Sequence, residues 1–146
     1  MLDGQDDRPD IAASGPPAMP VASQDGAMDV HYDDERRIIR IDCHGVWTPA
    51  QVDACFDELK TLIGEMRTRL NRVRVFVDRR LAVPQPMPTV ERLKQHVMQE
   101  YRPNDRIAVV VDSSLAKMQL RDQLDPQTHK LFLSGHAAAT WLSAHD

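Results

Sequence analysis

Cysteine is scarce in this 146-residue chain: Cys43 and Cys55 are the only two. They offer neither a metal-ligand spacing nor a disulfide framework. Glycine is scarce as well. Of six glycines, Gly4, Gly15 and Gly26 fall in the first 27 residues, leaving Gly45, Gly64 and Gly135 for the rest. Those three form no Walker loop and no G-x-G-x-x-G turn, so the chain lacks the backbone cradle that phosphate-loop enzymes use. Long apolar runs are missing: the longest aliphatic one, Ile107 to Val111, is far below the roughly 20 residues of a membrane span. The start, Met1-Leu-Asp-Gly-Gln-Asp-Asp7, has no basic n-region and no apolar h-region of a secretory leader.

Charge of one sign is missing too, once its location is considered. The net charge is −4. Residues 1–27 hold Asp3, Asp6, Asp7, Asp10 and Asp25 against Arg8 alone, so the remainder balances at zero. A neutral domain is a poor match for a nucleic-acid backbone, which draws a basic face. These absences predict a cytoplasmic protein with no nucleic-acid partner and no membrane span. Residues 1–27 mix Pro, Gly, Ala, Ser and Asp without apolar periodicity. Such a segment buries too little to offset its ordering entropy, and is expected to be a disordered acidic tail. Residues 28–146 are then one domain of common size.

Alternation marks Met28 to Tyr32 and Arg37 to His44 as a hairpin around Asp33-Asp34-Glu35. Thr48-Pro49-Ala50-Gln51 is a capping box with proline at the first helical position. Behind it runs a stripe of Val52, Cys55, Phe56, Leu59, Leu62, Ile63, Met66 and Leu70. Strands follow at 72–78, 106–112 and 129–133, and helices open at Pro88-Thr89, at Ser113 or Ser114, and at Gly135. The span Arg79 to Met87, with Pro84 and Pro86, reads as a loop. The order is ββαβαβαβα, with right-handed crossovers and parallel strands after the hairpin. If the strands run 1-2-3-4-5, all helices are expected on one face. Residues 39, 41, 43, 73, 75, 77, 107, 109, 111, 131 and 133 form the covered face, and the mixed opposite set a partly open one.

Ligands of such sheets usually meet the carboxyl ends of the parallel strands. Those ends carry His44 with Trp47, then Asp78-Arg79-Arg80, Asp112-Ser113-Ser114, and Ser134-Gly135-His136. Arg79-Arg80 suits a phosphate or carboxylate through forked hydrogen bonds, or else forms a solvated Asp–Arg pair. Ser113 or Ser114 with His44 or His136 and an Asp could assemble a hydrolytic triad. The small residues of a nucleophile elbow are missing, however, and a serine between strand and helix is ordinarily an N-cap. No histidine spacing supports a metal. Cys43 and Cys55 fall on apolar stripes and read as core. No catalytic residue, metal or cofactor is assigned.

The segments Gly45-Val-Trp-Thr48, Val73 to Asp78, Asp105 to Asp112 and Ala137-Ala-Ala-Thr-Trp-Leu142 carry a resemblance. With the element order, they resemble the STAS or SpoIIAA-like family over residues 28–144. More narrowly they resemble bacterial STAS-like proteins of unknown function, related to anti-sigma-factor antagonists and to CRAL-TRIO lipid-binding domains. The resemblance implies an α/β SpoIIAA-like fold with a mixed five-stranded sheet and helices mainly on one face. It also implies a non-enzymatic module that binds a protein partner or a small apolar ligand. An anti-sigma antagonist is switched at a serine in an Asp-Ser-Ser-Gly segment after its third strand. Here residues 78–90 contain no serine and only Thr89, while Asp112-Ser113-Ser114 lies one strand later without the glycine. A module lacking the phosphoserine switch is therefore expected. Its partner edge comprises His44, Trp47, Asp78, Arg79, Arg80, Asp112, Ser113, Ser114 and His136, with 81–88 as a lid or partner contact. The alternative is a carrier of an apolar or lipid-like ligand, in a pocket of Leu81, Val83, Met87, Leu93, Val97, Leu115 and Met118. A small hydrolase is a third possibility.

Overall fold

The computed structural model describes residues 26–144. The tail expected over 1–27 lies outside the described residues except for its last two. A hairpin of β1 (Ala27–Asp33) and β2 (Ile38–Gly45) comes first. The Asp33 carboxylate accepts from the Arg36 backbone N–H at 3.1 Å, and Arg37 takes a left-handed φ of 57° to close the turn. Then follow α1 (Pro49–Arg67), β3 (Arg74–Ala82), α2 (Met87–Glu100), β4 (Arg106–Val110), α3 (Ser114–Arg121), β5 (His129–Phe132) and α4 (Gly135–Ser143). The sheet order is β1-β2-β3-β4-β5, antiparallel in the hairpin and parallel thereafter.

The capping box forms. Thr48 Oγ1 accepts from the Gln51 N–H, and Gln51 Oε1 accepts from the Thr48 N–H. This satisfies two donors that a helix start leaves without partners. The stripe of α1 then buries Val52, Cys55, Phe56, Leu59, Ile63 and Met66 against Ile39, Ile41, Val75, Ile107 and Val109. Helices α2 and α3 add Val97 and Leu120 to the same core. Across α1 and α2, His96 stacks on Phe56 at 4.5 Å and its Nε2 bonds Asp53 at 2.7 Å.

The expectation that every helix shares one face is corrected by α4. It lies on the opposite face, where Ala138 and Leu142 pack against Ile38, Phe76, Ala108 and Val110. The handedness rule governs helices that return to a parallel strand, and among the described residues no strand follows α4. The apolar members of the mixed strand set, Phe76, Ala108, Val110 and Phe132, are the ones α4 covers. Beside α4 the sheet stays open. There Arg40, Asp42, Asp78 and Arg80 form a ladder of charges.

One carboxylate organises the amino-terminal edge. Asp105, 2% exposed, accepts from both terminal nitrogens of Arg67 at 3.0 and 2.7 Å. It also accepts from the backbone N–H of Val73 at 3.1 Å and of Arg102 at 2.8 Å. Burial alone would raise its pKa, but the Arg67 guanidinium and the two backbone donors outweigh burial and hold it below the usual carboxylate range. With a depressed folded pKa, its contribution is complete at neutral pH and is lost as pH falls below that range. Asp105→Ala leaves Arg67 half-buried without its partner. It is expected to lower unfolding stability by about 3–5 kcal/mol, read as a shift of the urea midpoint. An unchanged midpoint would contradict this role.

Candidate functional site

The carboxyl-terminal edge is shaped by an irregularity in β3. The strand does not stop at Asp78 but runs on through Arg79, Arg80 and Leu81 to Ala82, where a loop was expected. Asp42 pairs with Asp78, but His44 pairs with Leu81, so β3 carries one extra residue. Such a bulge shifts which face the following side chains meet. Leu81 turns outward and is 75% exposed, while Ala82 packs against the main core.

The sheet separates residues expected to form a single site. On the α4 face, Asp78 accepts from Arg80 Nε at 3.0 Å, Nη2 at 2.7 Å and the Arg80 N–H at 3.1 Å. These Arg80 bonds are the main reason the Asp78 pKa is held low. Arg80 is thereby engaged, beside a surface gap of about 280 Å³ that also touches Arg40, Phe76, Gly135 and His136. His44 is exposed at the end of β2. Arg79, Trp47, Asp112 and Ser113 belong to the other, helix-covered side. The pair Arg79-Arg80 is thus not one anion clamp.

Trp47 is 2% exposed, and its indole N–H donates to the His44 carbonyl at 3.0 Å. It is a buried platform. The Arg79 guanidinium lies over its ring at 4.9 Å. Ser113 caps α3 by accepting from the Ala116 N–H, which commits its oxygen to the helix start. Ser114 is exposed in the first turn. Thr89 is 1% exposed and donates to the Trp47 carbonyl at 3.0 Å. Both thiols are buried and pushed up to about 12, chiefly by burial, so neither is a nucleophile at neutral pH.

Between residues 82–90 and α3 lies a cleft of about 430 Å³. Its walls include Arg79, Val83, Pro84, Val90, Asp112, Ser113, Leu115 and Leu120. Segment 83–86 is fastened down and is not a loose lid. Gln85 Oε1 accepts from the Trp47 N–H at 2.7 Å, and Gln85 Nε2 donates to the Gly45 carbonyl at 3.0 Å. Gly45 itself takes a φ of 69°, a left-handed conformation suited to glycine. Of the expected apolar pocket, Val83 and Leu115 line this cleft. Leu93 and Val97 line a smaller inner space of about 50 Å³ beneath Trp47 and Arg79. Leu81, Met87 and Met118 point to solvent, at 75%, 65% and 63% exposure. The bulge accounts for Leu81. Met87 and Met118 sit on the outer sides of short helices.

Sequence reasoning missed Gln85 and Thr89, which tie the loop to Trp47 by side chain-to-backbone bonds that no periodicity signals. It also missed Asp53 and His96. That pair joins α1 to α2, with His96 Nδ1 buried and unpartnered. The His96 Nε2 hydrogen bond lowers the Asp53 pKa and ties the two helices together.

The architecture defines a SpoIIAA-like α/β protein, and comparison with solved structures agrees. An uncharacterized protein of the DUF3478 family with a SpoIIAA-like fold, from Shewanella loihica PV-4, superposes with a TM-score of 0.59 at 16% identity. The match covers 80% of this chain and 93% of that one. An anti-sigma factor antagonist from Mycobacterium paratuberculosis gives a TM-score of 0.53 at 12% identity, over 82% and 95% of the two chains. At these identities the likeness shows the fold. No protein-family model and no curated protein sequence matches the chain. Among the described residues no helix is long and apolar enough to cross a membrane.

Gln85→Ala strips the partner from the Trp47 N–H and leaves the Gly45 carbonyl with only the Val83 N–H, at 3.4 Å. It is expected to cost about 1–3 kcal/mol, the scale of buried polar groups left unmatched, and to speed hydrogen exchange at the Trp47 amide. An unchanged exchange rate would show that the loop is held by other means.

Proposed function

We propose that this chain is a non-enzymatic cytoplasmic interaction module that docks a protein partner on its carboxyl-terminal edge, without a phosphoserine switch. One observation carries this reading: the placement of its exposed large apolar residues. Leu81, Met87, Leu115, Met118 and Leu133 are 50–75% exposed. Leu81 and Leu133 stand at the ends of parallel strands, and Met87, Leu115 and Met118 within the first two turns of the helices that follow. Met98, on α2, is the exception. Grouped apolar exposure of this kind marks interaction surfaces, and methionines adapt to varied partner shapes. The burial of Thr89 and the capping role of Ser113 speak against a phosphoacceptor here. The anti-sigma factor antagonist among the fold neighbours supports a protein partner. Two free, buried cysteines fit a reducing compartment.

A second reading, a carrier of a small ligand, is favoured by the cleft beside Arg79. Its volume of about 430 Å³ falls in the range of small-molecule sites.

A photo-crosslinking residue placed at Met118 in the full chain, expressed in its native host, tests the docking edge. A discrete protein adduct is expected, lost when Leu81 and Leu115 are both changed to Asp. The same probe at Met98 is expected to give none. Equal adducts from both positions, or none from 118, would contradict the proposal.

A further inference from the structure

Arg79 occupies a place where the strand pattern calls for an apolar residue. It follows Val73, Val75 and Val77 on the helix-covered face. Its guanidinium stacks on Trp47, its Nε is buried without a hydrogen-bond partner, and no carboxylate among the described residues forms an ion pair with it. Burial lowers its pKa, yet a guanidinium keeps its proton in proteins. Its terminal nitrogens also lack a hydrogen-bond partner among the described residues but are not buried, so a species entering the cleft can reach them. A weakly hydrated guanidinium favours an anion there. The nearby Arg80 shows the contrast, since it is fully engaged with Asp78.

The surroundings of Arg79 define what such an anion looks like. Arg79 borders both the cleft and the inner apolar space. Away from it, the cleft wall presents Val83, Pro84, Val90, Leu115 and Leu120, with Gln85, Gln119 and Gln123 interspersed. Asp112, exposed on the same cleft, repels anions in proportion to their charge, and so a multiply charged one more than a singly charged one. A multiply charged anion is therefore disfavoured, and a single charge with an apolar body is suited. A different arginine-lined cleft, at the amino-terminal edge, has about 500 Å³ bounded by Arg36, Arg37, Arg72, Arg74, Asn71, Asn104, Ser143 and Leu70. Its lining is the more polar of the two, with Leu70 as its one aliphatic side chain among the described residues.

We propose that the cleft between residues 82–90 and α3 binds an organic monocarboxylate with an aliphatic tail. The carboxylate accepts hydrogen bonds from the Arg79 guanidinium, and the tail lies along Val83, Val90, Leu115 and Leu120. This rests on the small-ligand reading above and names the ligand class for it.

Calorimetric titration of the full chain with octanoate, 1-octanol and inorganic phosphate tests the proposal. Octanoate is expected to bind at least about tenfold more tightly than octanol, the scale of a charge-assisted hydrogen bond. Arg79→Gln is expected to remove that advantage and leave octanol binding unchanged, while Arg80→Gln alters neither. The wild-type comparison of octanoate with octanol stands even if an Arg79 variant folds poorly. Equal binding of octanoate and octanol would overturn the role of Arg79 but keep an apolar carrier. Binding of neither would overturn the carrier reading as well. Phosphate binding as tightly as octanoate, with the same dependence on Arg79, would reduce the site to a general anion site and overturn the monocarboxylate assignment.

Discussion

The buried carboxylate of Asp105 holds the amino-terminal edge of this fold together. Through it the last turn of α1, the start of β3 and the turn into β4 meet at one point. A charge with so little exposure persists because each oxygen has two donors within 3.1 Å, and four such bonds offset much of its lost hydration. The consequence is directional. With strand starts and helix ends tied at one edge, the opposite edge carries the strand-to-helix loops, most of the exposed large apolar side chains, and Arg79, which has no ion pair among the described residues. That division fits the tendency of open parallel sheets to bind ligands beyond their strand carboxyl ends.

At the working edge the decisive feature is the extra residue in β3. Regular alternation after Arg79 would send Leu81 inward and Ala82 outward. The bulge reverses this and puts a small residue against the core beside the cleft. Arg79 and Arg80, adjacent in sequence, then face opposite sides of the sheet. One completes a charge ladder with Asp78 and Arg40, and the other rests on Trp47 with no counter-ion among the described residues. Gln85 makes the arrangement rigid by bonding to both Gly45 and Trp47. A small ligand at Arg79 would therefore lie between residues that also border the apolar docking surface, Leu115 and Val83. The proposed docking surface and the proposed ligand cleft share Leu115.

Much of the fold was legible because its signals are local. The capping box at Thr48 and Gln51, the serine cap of α3, the hairpin alternation and the buried run of β4 each follow from a few neighbouring residues. The side taken by α4 was not, since the crossover rule says nothing about a helix with no strand to return to. Yet Phe76, Ala108 and Val110 in the mixed strand set were the trace of it. The candidate site was legible as an edge and not as a geometry. Two arginines after an aspartate read as a loop, and only the strand register shows that they part to opposite faces. Trp47 beside a glycine looked available for contact, whereas its indole N–H has a carbonyl to bond and its ring is covered.

The central claim is that binding takes place at the carboxyl-terminal edge. The amino-terminal cleft, with Arg36, Arg37, Arg72 and Arg74 on its walls, is the obvious electrostatic competitor for any anion. Amide chemical-shift mapping of the isotope-labelled full chain during an octanoate titration separates the two directly. Saturable shifts at residues 79–90 and 112–120, with residues 36–37 and 71–74 unmoved, are the predicted result. Shifts centred on 36–37 and 71–74 would contradict it.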